Sequence, residues 1–196
     1  MDNNRLFSST WIESFILKGK SEDNFTFITK VLTVIVCSLI LVLSAKIKVD
    51  LYPVPMTLQP LAILMIAMLC GKNMAVATVS LYLFKGMVGY PVFASGGGLP
   101  YLMGPTAGFL FGFLIASLVV GDLADRGWGK VLLKSAFAMM IGMLTIYLFG
   151  IIWLSTFYGL IPAIKMMQLF ILGDLYKIIL ASILLPQIWK LTKSFK

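Results

Sequence analysis

Six apolar stretches, each near the length of a bilayer crossing, constrain this chain more than any other feature. A hydrocarbon core about 30 Å thick takes about 20 apolar residues of helix. Such stretches run near Phe25 to Ala45, Met56 to Cys70, Met74 to Tyr90, Leu102 to Gly121, Val131 to Trp153 and Met166 to Ile188. Only 12% of the 196 residues are charged and 60% are hydrophobic, whereas a soluble domain carries about 25% charged residues. Lipid offers no partner to a free backbone amide, so spans of this length must be helices. The pattern predicts an all-α integral membrane protein with six transmembrane helices. The second and third stretches are short, which implies tilt, local thinning of the bilayer, or burial of the polar Thr57-Leu58-Gln59-Pro60 segment within the protein.

The distribution of Lys and Arg sets the orientation. With the N-terminus inside, 11 of the 16 Lys and Arg residues fall on the cytoplasmic side, 3 (Lys46, Lys48 and Lys165) fall outside, and Lys85 and Lys177 remain in the spans. Both termini are therefore predicted to be cytoplasmic, in a multi-pass protein of the cytoplasmic (inner) membrane. The net charge of +8 suits anchoring against anionic membrane lipids, and no soluble domain is left to bind nucleic acid.

Residues 1–24 read as a cytoplasmic or interfacial segment: Leu6, Phe7, Trp11, Ile12, Phe15 and Ile16 gather on one side and Ser8, Ser9, Glu13 and Ser14 on the other. The first 30 residues lack an apolar core with a small-residue cleavage site, so no cleaved signal peptide is expected. Residues 25–190 form the membrane domain and 191–196 a basic cytoplasmic tail. Cys37 and Cys70 lie within spans, where the plain expectation is two small buried hydrophobes rather than a disulfide.

Inside the last apolar stretch stand a carboxylate and an ammonium, in Ile-Leu-Gly-Asp174-Leu-Tyr-Lys177-Ile-Ile-Leu. Residues three apart share a helix face, so both charges point the same way at a depth where only protein can supply polar company. They line a binding chamber, or else form a structural ion pair. From the expected start of this span Asp174 lies about 12 Å down, at about 1.5 Å per residue.

Other polar and glycine-rich elements collect on the same, outer side. Gln59 lies in Pro-Met-Thr-Leu-Gln-Pro at the mouth of the second span, and the third connection reads Gly89-Tyr-Pro-Val-Phe93-Ala-Ser-Gly96-Gly97-Gly98-Leu-Pro-Tyr101. The glycines allow close backbone approach to a ligand, with Phe93 and Tyr101 offering apolar contact; a plain outer turn is the alternative. The first connection, Lys46 to Pro55, alternates polar and apolar residues, which suits an extended flap. Together these two loops suit a lid. Lys85, five residues from the outer end of its span, is expected to snorkel to the interface.

Several activities drop out. Without a single His, the chain lacks Ser-His and Cys-His nucleophiles and His-based metal sites. Asp174 is the one acid deep in a span, so a paired-carboxylate protease lacks its partner. No phosphate-binding Gly-Lys-Ser/Thr loop is present, so the chain hydrolyses no ATP by itself. No catalytic residue, metal or cofactor is expected. A pocket with an ammonium, a carboxylate and an amide suits a small molecule with polar ends and an apolar body.

Four segments in order carry a family resemblance. They are Pro53-Val-Pro-Met-Thr-Leu-Gln59; Tyr82-Leu-x-x-Gly86-x-x-Gly89-Tyr-Pro-Val-Phe93-Ala-Ser-Gly-Gly-Gly; Gly104-Pro-Thr-Ala-Gly-Phe-Leu-x-Gly112-Phe; and Gly173-Asp-x-x-Lys177. The chain resembles the BioY family, the biotin-binding membrane subunits (S components) of energy-coupling factor importers. The resemblance implies a six-helix subunit that binds biotin under outer loops and associates with a transmembrane coupling protein and two ATPase subunits, although some members are thought to work alone. It implies that Asp174 and Lys177 contact the polar groups of biotin, while Gln59, Tyr82, Phe93, Gly96, Gly97 and Gly98 shape the pocket and lid. Related subunits dock on the coupling protein through a small-residue stripe on the first helix, and here that spacing holds Thr33 and Cys37. A homo-oligomer is a further partner reading. The alternative function is an autonomous, proton-coupled secondary transporter of biotin or a related carboxylate, with Asp174 as the proton carrier.

Overall fold

The computed structural model describes residues 23–194. The amphipathic segment read at residues 6–16 lies outside the described residues, as do the last two residues of the basic tail. The elements in order are α1 (Asp23–Lys46), β1 (Lys48–Val49), β2 (Met56–Thr57), α2 (Gln59–Met87), α3 (Leu99–Met103), α4 (Ala107–Asp125), a 3-10 turn (Trp128–Lys130), α5 (Leu132–Tyr158) and α6 (Leu160–Ser194). Among the described residues, five helices are long and apolar enough to cross a membrane, all but the short α3.

Helix α2 is broken once, at Gly71, whose φ of 76° and ψ of 177° leave helical geometry. An unbroken helix would hold Gln59 and Tyr82 about 34 Å apart at about 1.5 Å per residue. Instead the Gln59 amide donates to the Tyr82 hydroxyl at 2.8 Å. Arms 59–70 and 72–87 therefore fold back on each other, and the bend falls between the second and third apolar stretches of the sequence. Such a φ favours glycine. A second glycine, Gly121 of α4, admits the bend: a Cβ there would stand 2.5 Å from the Lys72 Cα. The Lys72 amide, freed by the break, donates to the Asp125 carboxylate at 3.3 Å.

Several expected span ends move. The fourth helix starts at Ala107, not Leu102, because Gly104 is extended (ψ 177°) ahead of Pro105, and Leu99–Met103 stands apart as α3. Helix α5 runs on to Tyr158, and only Gly159 (φ 83°) separates it from α6, which begins at Leu160. Pro162 is tolerated there because the first turn of a helix has amides to spare. Lys165 is thus in helix rather than loop, and Asp174 is 14 residues into α6, about 21 Å along its axis rather than about 12 Å. Helix α6 itself continues to Ser194, past the expected span end at Ile188.

In lipid, helices gain from close packing and satisfied polar groups more than from burying oil. Gly108 and Gly112, one turn apart on α4, lie against α5: a Cβ on Gly108 would meet the Trp153 Cβ at 2.2 Å, and one on Gly112 the Ile146 Cα at 3.0 Å. Buried Ser44, Ser117 and Ser135 donate to carbonyls three residues back, at 2.7–2.8 Å, so none strands a hydroxyl in the core. Outward faces are apolar, with Leu43, Leu133, Leu144 and Leu172 each about two-thirds exposed.

The stripe read at Thr33 and Cys37 does not form an outward docking face. Cys37 is only 8% exposed and belongs to the core, and half-buried Thr33 gives its hydroxyl to the Thr29 carbonyl at 2.8 Å. The outward face of α1 passes instead through Leu32, Ile35, Val36, Leu39, Ile40 and Leu43. Residues four apart share a face, and here that face is the inner one.

Candidate functional site

A cavity of about 540 Å³, counting its open mouth, lies among the β1–β2 hairpin, the start of α2, α3, α4, α5 and α6. Asp174, Lys177 and Gln59 all line it, on side chains from α2 and α6 that the fold brings together across 115 residues of sequence. Its apolar wall includes Phe109, Phe113, Ile146 and Phe170.

The acid and base are paired. Lys177 Nζ donates to Asp174 Oδ1 at 2.7 Å and to the Thr57 carbonyl at 2.8 Å. The Tyr147 hydroxyl donates to Asp174 Oδ2. Asp174 is 4% exposed, and both side chains keep only slight access, all consistent with a charge pair opening on a chamber rather than on solvent. Close approach of the hairpin sets this corner: a Cβ on Gly173 would lie 2.9 Å from Met56 Sδ. Glycine before Asp174 therefore lets the Thr57 carbonyl reach Lys177.

Gln59 is fixed from two sides. Its backbone amide donates to the Thr57 hydroxyl at 3.2 Å, and its side-chain amide donates to Tyr82, which passes its own proton to the Val92 carbonyl at 3.2 Å. Tyr82 and Phe93 are fully buried and stand behind the cavity wall, not in it. Phe93 stacks on Tyr101, ring centroids 4.9 Å apart, and meets Tyr82 edge-on at 5.5 Å. Tyr101 and Ala94 carry this cluster to the cavity surface.

Gly96, Gly97 and Gly98 do not line the cavity; they shape the loop between Ala94 and Tyr101, which do. Phe93 and Gly96 exchange backbone hydrogen bonds, the Gly98 amide donates to the Gly86 carbonyl at 2.7 Å, and a Cβ on Gly97 would sit 2.0 Å from the Tyr90 carbonyl oxygen. Phe93 lies directly on Gly86, where a Cβ would overlap its ring at 1.9 Å. The flap expected at residues 46–55 opens as a hairpin, with Lys48 opposite Thr57 and Val49 opposite Met56. It is tied to the glycine loop: Lys46 Nζ donates to the Phe93 carbonyl at 2.7 Å and Lys48 Nζ to Ser95 Oγ at 3.2 Å.

Tyr147, which lines the cavity and donates to Asp174, is the site residue that sequence reading missed. A tyrosine in an apolar helix reads as bulk, although its hydroxyl needs a partner at that depth. Lys85 behaves differently from the snorkelling expected of it: its Nζ reaches Ser38 Oγ on α1 at 2.8 Å, eight residues below Lys46, and it does not line the cavity. Among the described residues, no three His, Cys, Asp or Glu side chains come together as a metal site requires.

Residues 17–194 match the family described as the BioY family. A biotin transporter BioY of Thermotoga maritima is 32% identical over 167 residues, covering 78% of this chain and 90% of that one. The biotin transporter BioY of Rhizobium etli is 34% identical over 166 residues, covering 79% and 89%. A probable biotin transporter BioY of Rickettsia prowazekii is 28% identical over 97% of both chains. The crystal structure of an S-component for biotin from an ECF-type ABC transporter superposes with a TM-score of 0.73 over 87% of this chain and 95% of that one, at 21% identity, and so shares its fold. With the family matched across nearly its whole length, this chain belongs to the BioY family.

Proposed function

We propose that this chain is the biotin-binding subunit of a vitamin importer: it captures biotin from the outer side of the cytoplasmic membrane and hands it inward, with no enzymatic step. The observation that carries the reading is the cavity that joins the Asp174–Lys177 pair, Tyr147 and Gln59 to an apolar wall. Biotin has the matching parts, a ureido ring and a carboxylate at its ends and an apolar thiophane and chain between them. Family membership supplies the substrate class, since the relatives are named biotin transporters.

In this reading Asp174, Lys177 and Gln59 contact polar groups of the vitamin, Tyr147 holds Asp174 in place, and Tyr82 and Phe93 brace the wall. Gly96, Gly97 and Gly98 let the loop close. Residues 25–190 act as one binding domain that crosses the membrane six times, counting the two arms of α2 separately, with both termini cytoplasmic as the Lys and Arg distribution favours. A coupling protein and ATPase subunits supply the energy. The proton-carrier alternative is disfavoured: neutralising Asp174 would strand the Lys177 ammonium at depth.

Calorimetric titration of the purified protein in mild detergent tests the reading. Saturable binding of biotin, with none of thiamine or riboflavin, is the expected result. Absence of biotin binding by protein that still melts cooperatively would overturn it.

A further inference from the structure

Lys46 and Lys48 stand on the outer side, against the preference of membrane proteins for basic residues inside. Both reach the same short segment, 47 residues further along the chain. Lys46 Nζ, at the end of α1, donates to the Phe93 carbonyl at 2.7 Å, and Lys48 Nζ, on β1, donates to Ser95 Oγ at 3.2 Å. The Phe93 carbonyl otherwise takes only the Gly96 amide, at a long 3.5 Å, so the ammonium is its main partner. The segments so joined both line the cavity, the hairpin side through Val54 to Thr57 and the loop side through Ala94. Other bonds of the loop run to α2, where the Tyr82 hydroxyl donates to the Val92 carbonyl and the Gly98 amide to the Gly86 carbonyl. Among the described residues, the hydrogen bonds from this loop to α1 and the hairpin are those of the two lysines. The hairpin end is itself fixed, since β1 pairs with β2 and the Thr57 carbonyl accepts from Lys177 of α6.

We propose that Lys46, aided by Lys48, is a positioning residue that latches the glycine loop to the hairpin over the cavity, and that release of this latch limits escape of the ligand. This role rests on the reading of the cavity as a biotin site. The Lys46 bond is partly buried and joins a full charge to a carbonyl, whereas the Lys48 bond is exposed and shares its ammonium with Asp50 at 2.6 Å. Charge-assisted bonds are the stronger kind, and exposure weakens them, so Lys46 carries most of the latch. A latch that holds after entry acts on the dissociation rate and leaves encounter alone. Lysines that merely attracted the biotin carboxylate from solution would act on capture, with an effect that salt screens. Arg at either position keeps the charge and a donor, whereas Met keeps length without either.

The test uses the full chain in lipid nanodiscs. In stopped-flow kinetics with biotin, Lys46→Met should speed dissociation about tenfold with association within about twofold of wild type, and Lys46→Arg should restore the slow rate. Lys48→Met and Ser95→Ala should each speed dissociation about twofold, and the double variant no more than either alone. In protein without ligand, hydrogen exchange of peptides covering residues 92–98 should quicken several-fold in Lys46→Met and not in Lys46→Arg. Unchanged dissociation in Lys46→Met, a loss of association that high salt abolishes, failure of Lys46→Arg to restore the rate, or unchanged exchange of the loop would each overturn the latch. Should Lys46→Met fail to fold, the Lys48 and Ser95 variants decide, and additive effects would overturn it. A wild-type protein that binds no biotin would overturn the biotin reading instead, and exchange of the loop would then decide by itself whether the lysines hold it.

Discussion

Lys177 has two acceptors and Asp174 two donors, so each charge is compensated within a few ångströms although both are largely buried. Removing one member leaves the other buried and unpaired, which costs about 3–5 kcal/mol, whereas removing both exchanges polar for apolar packing and costs less. Lys177→Met and Asp174→Asn are therefore expected each to lower the unfolding midpoint in detergent, and the double variant to recover part of the loss; additive losses would argue against a coupled pair. Both single variants should also weaken biotin by 10-fold or more, taking about 1.5–3 kcal/mol for a hydrogen bond to a charged group. Tyr147→Phe removes one donor from Asp174 without creating a charge. It should weaken biotin by about tenfold and lower the unfolding midpoint less than the charge-breaking variants do, and unchanged affinity by calorimetry would reduce Tyr147 to packing. The pair itself was legible because charge is rare at that depth, while Tyr147 was hidden among the chain's 25 aromatics, most of which read as bulk.

Among elements, the two devices that organise the outer half are glycine-dependent. Gly71 turns α2 back on itself at φ 76°, and this bend is what carries Gln59 to Tyr82. Gly71→Ala places a side chain in the left-handed region, which costs about 1–3 kcal/mol. A lower melting point with biotin binding kept in the folded fraction is the expected outcome; a wild-type melt would mean the bend relaxes at no cost. In the lid loop, Gly97→Ala sets a methyl against the Tyr90 carbonyl, which stands 2.0 Å from the added carbon. The loop must move, so stopped-flow capture of biotin should slow several-fold while stability holds, and an unchanged rate would make the loop a spacer. The existence of the apolar segments was legible because lipid demands length and hydrophobicity. Their ends were not: Pro162 sits harmlessly in the first turn of α6, while Gly104-Pro105 ends a turn inside a run that reads as continuous. Hydropathy sees neither. Cys37 carried two readings, a small buried hydrophobe and a docking position, because small residues suit a core and a stripe alike; it lies in the core.

At the scale of the whole molecule, the question is what drives accumulation. The chain carries no phosphate-binding loop, and the cavity's acid is committed to Lys177 and Tyr147. A carrier that couples to protons must gain and lose a charge along its cycle, and here protonating Asp174 would free an ammonium inside the membrane. Binding alone shifts an equilibrium and concentrates nothing. Purified protein in proteoliposomes is therefore expected to bind biotin yet not accumulate it, with or without a proton gradient. Co-reconstitution with a coupling protein and two ATPase subunits should give uptake that needs ATP and is lost in Asp174→Asn. Accumulation by the chain alone that vanishes when the gradient is collapsed would reverse this reading, and would require the Asp174–Lys177 pair to open during transport.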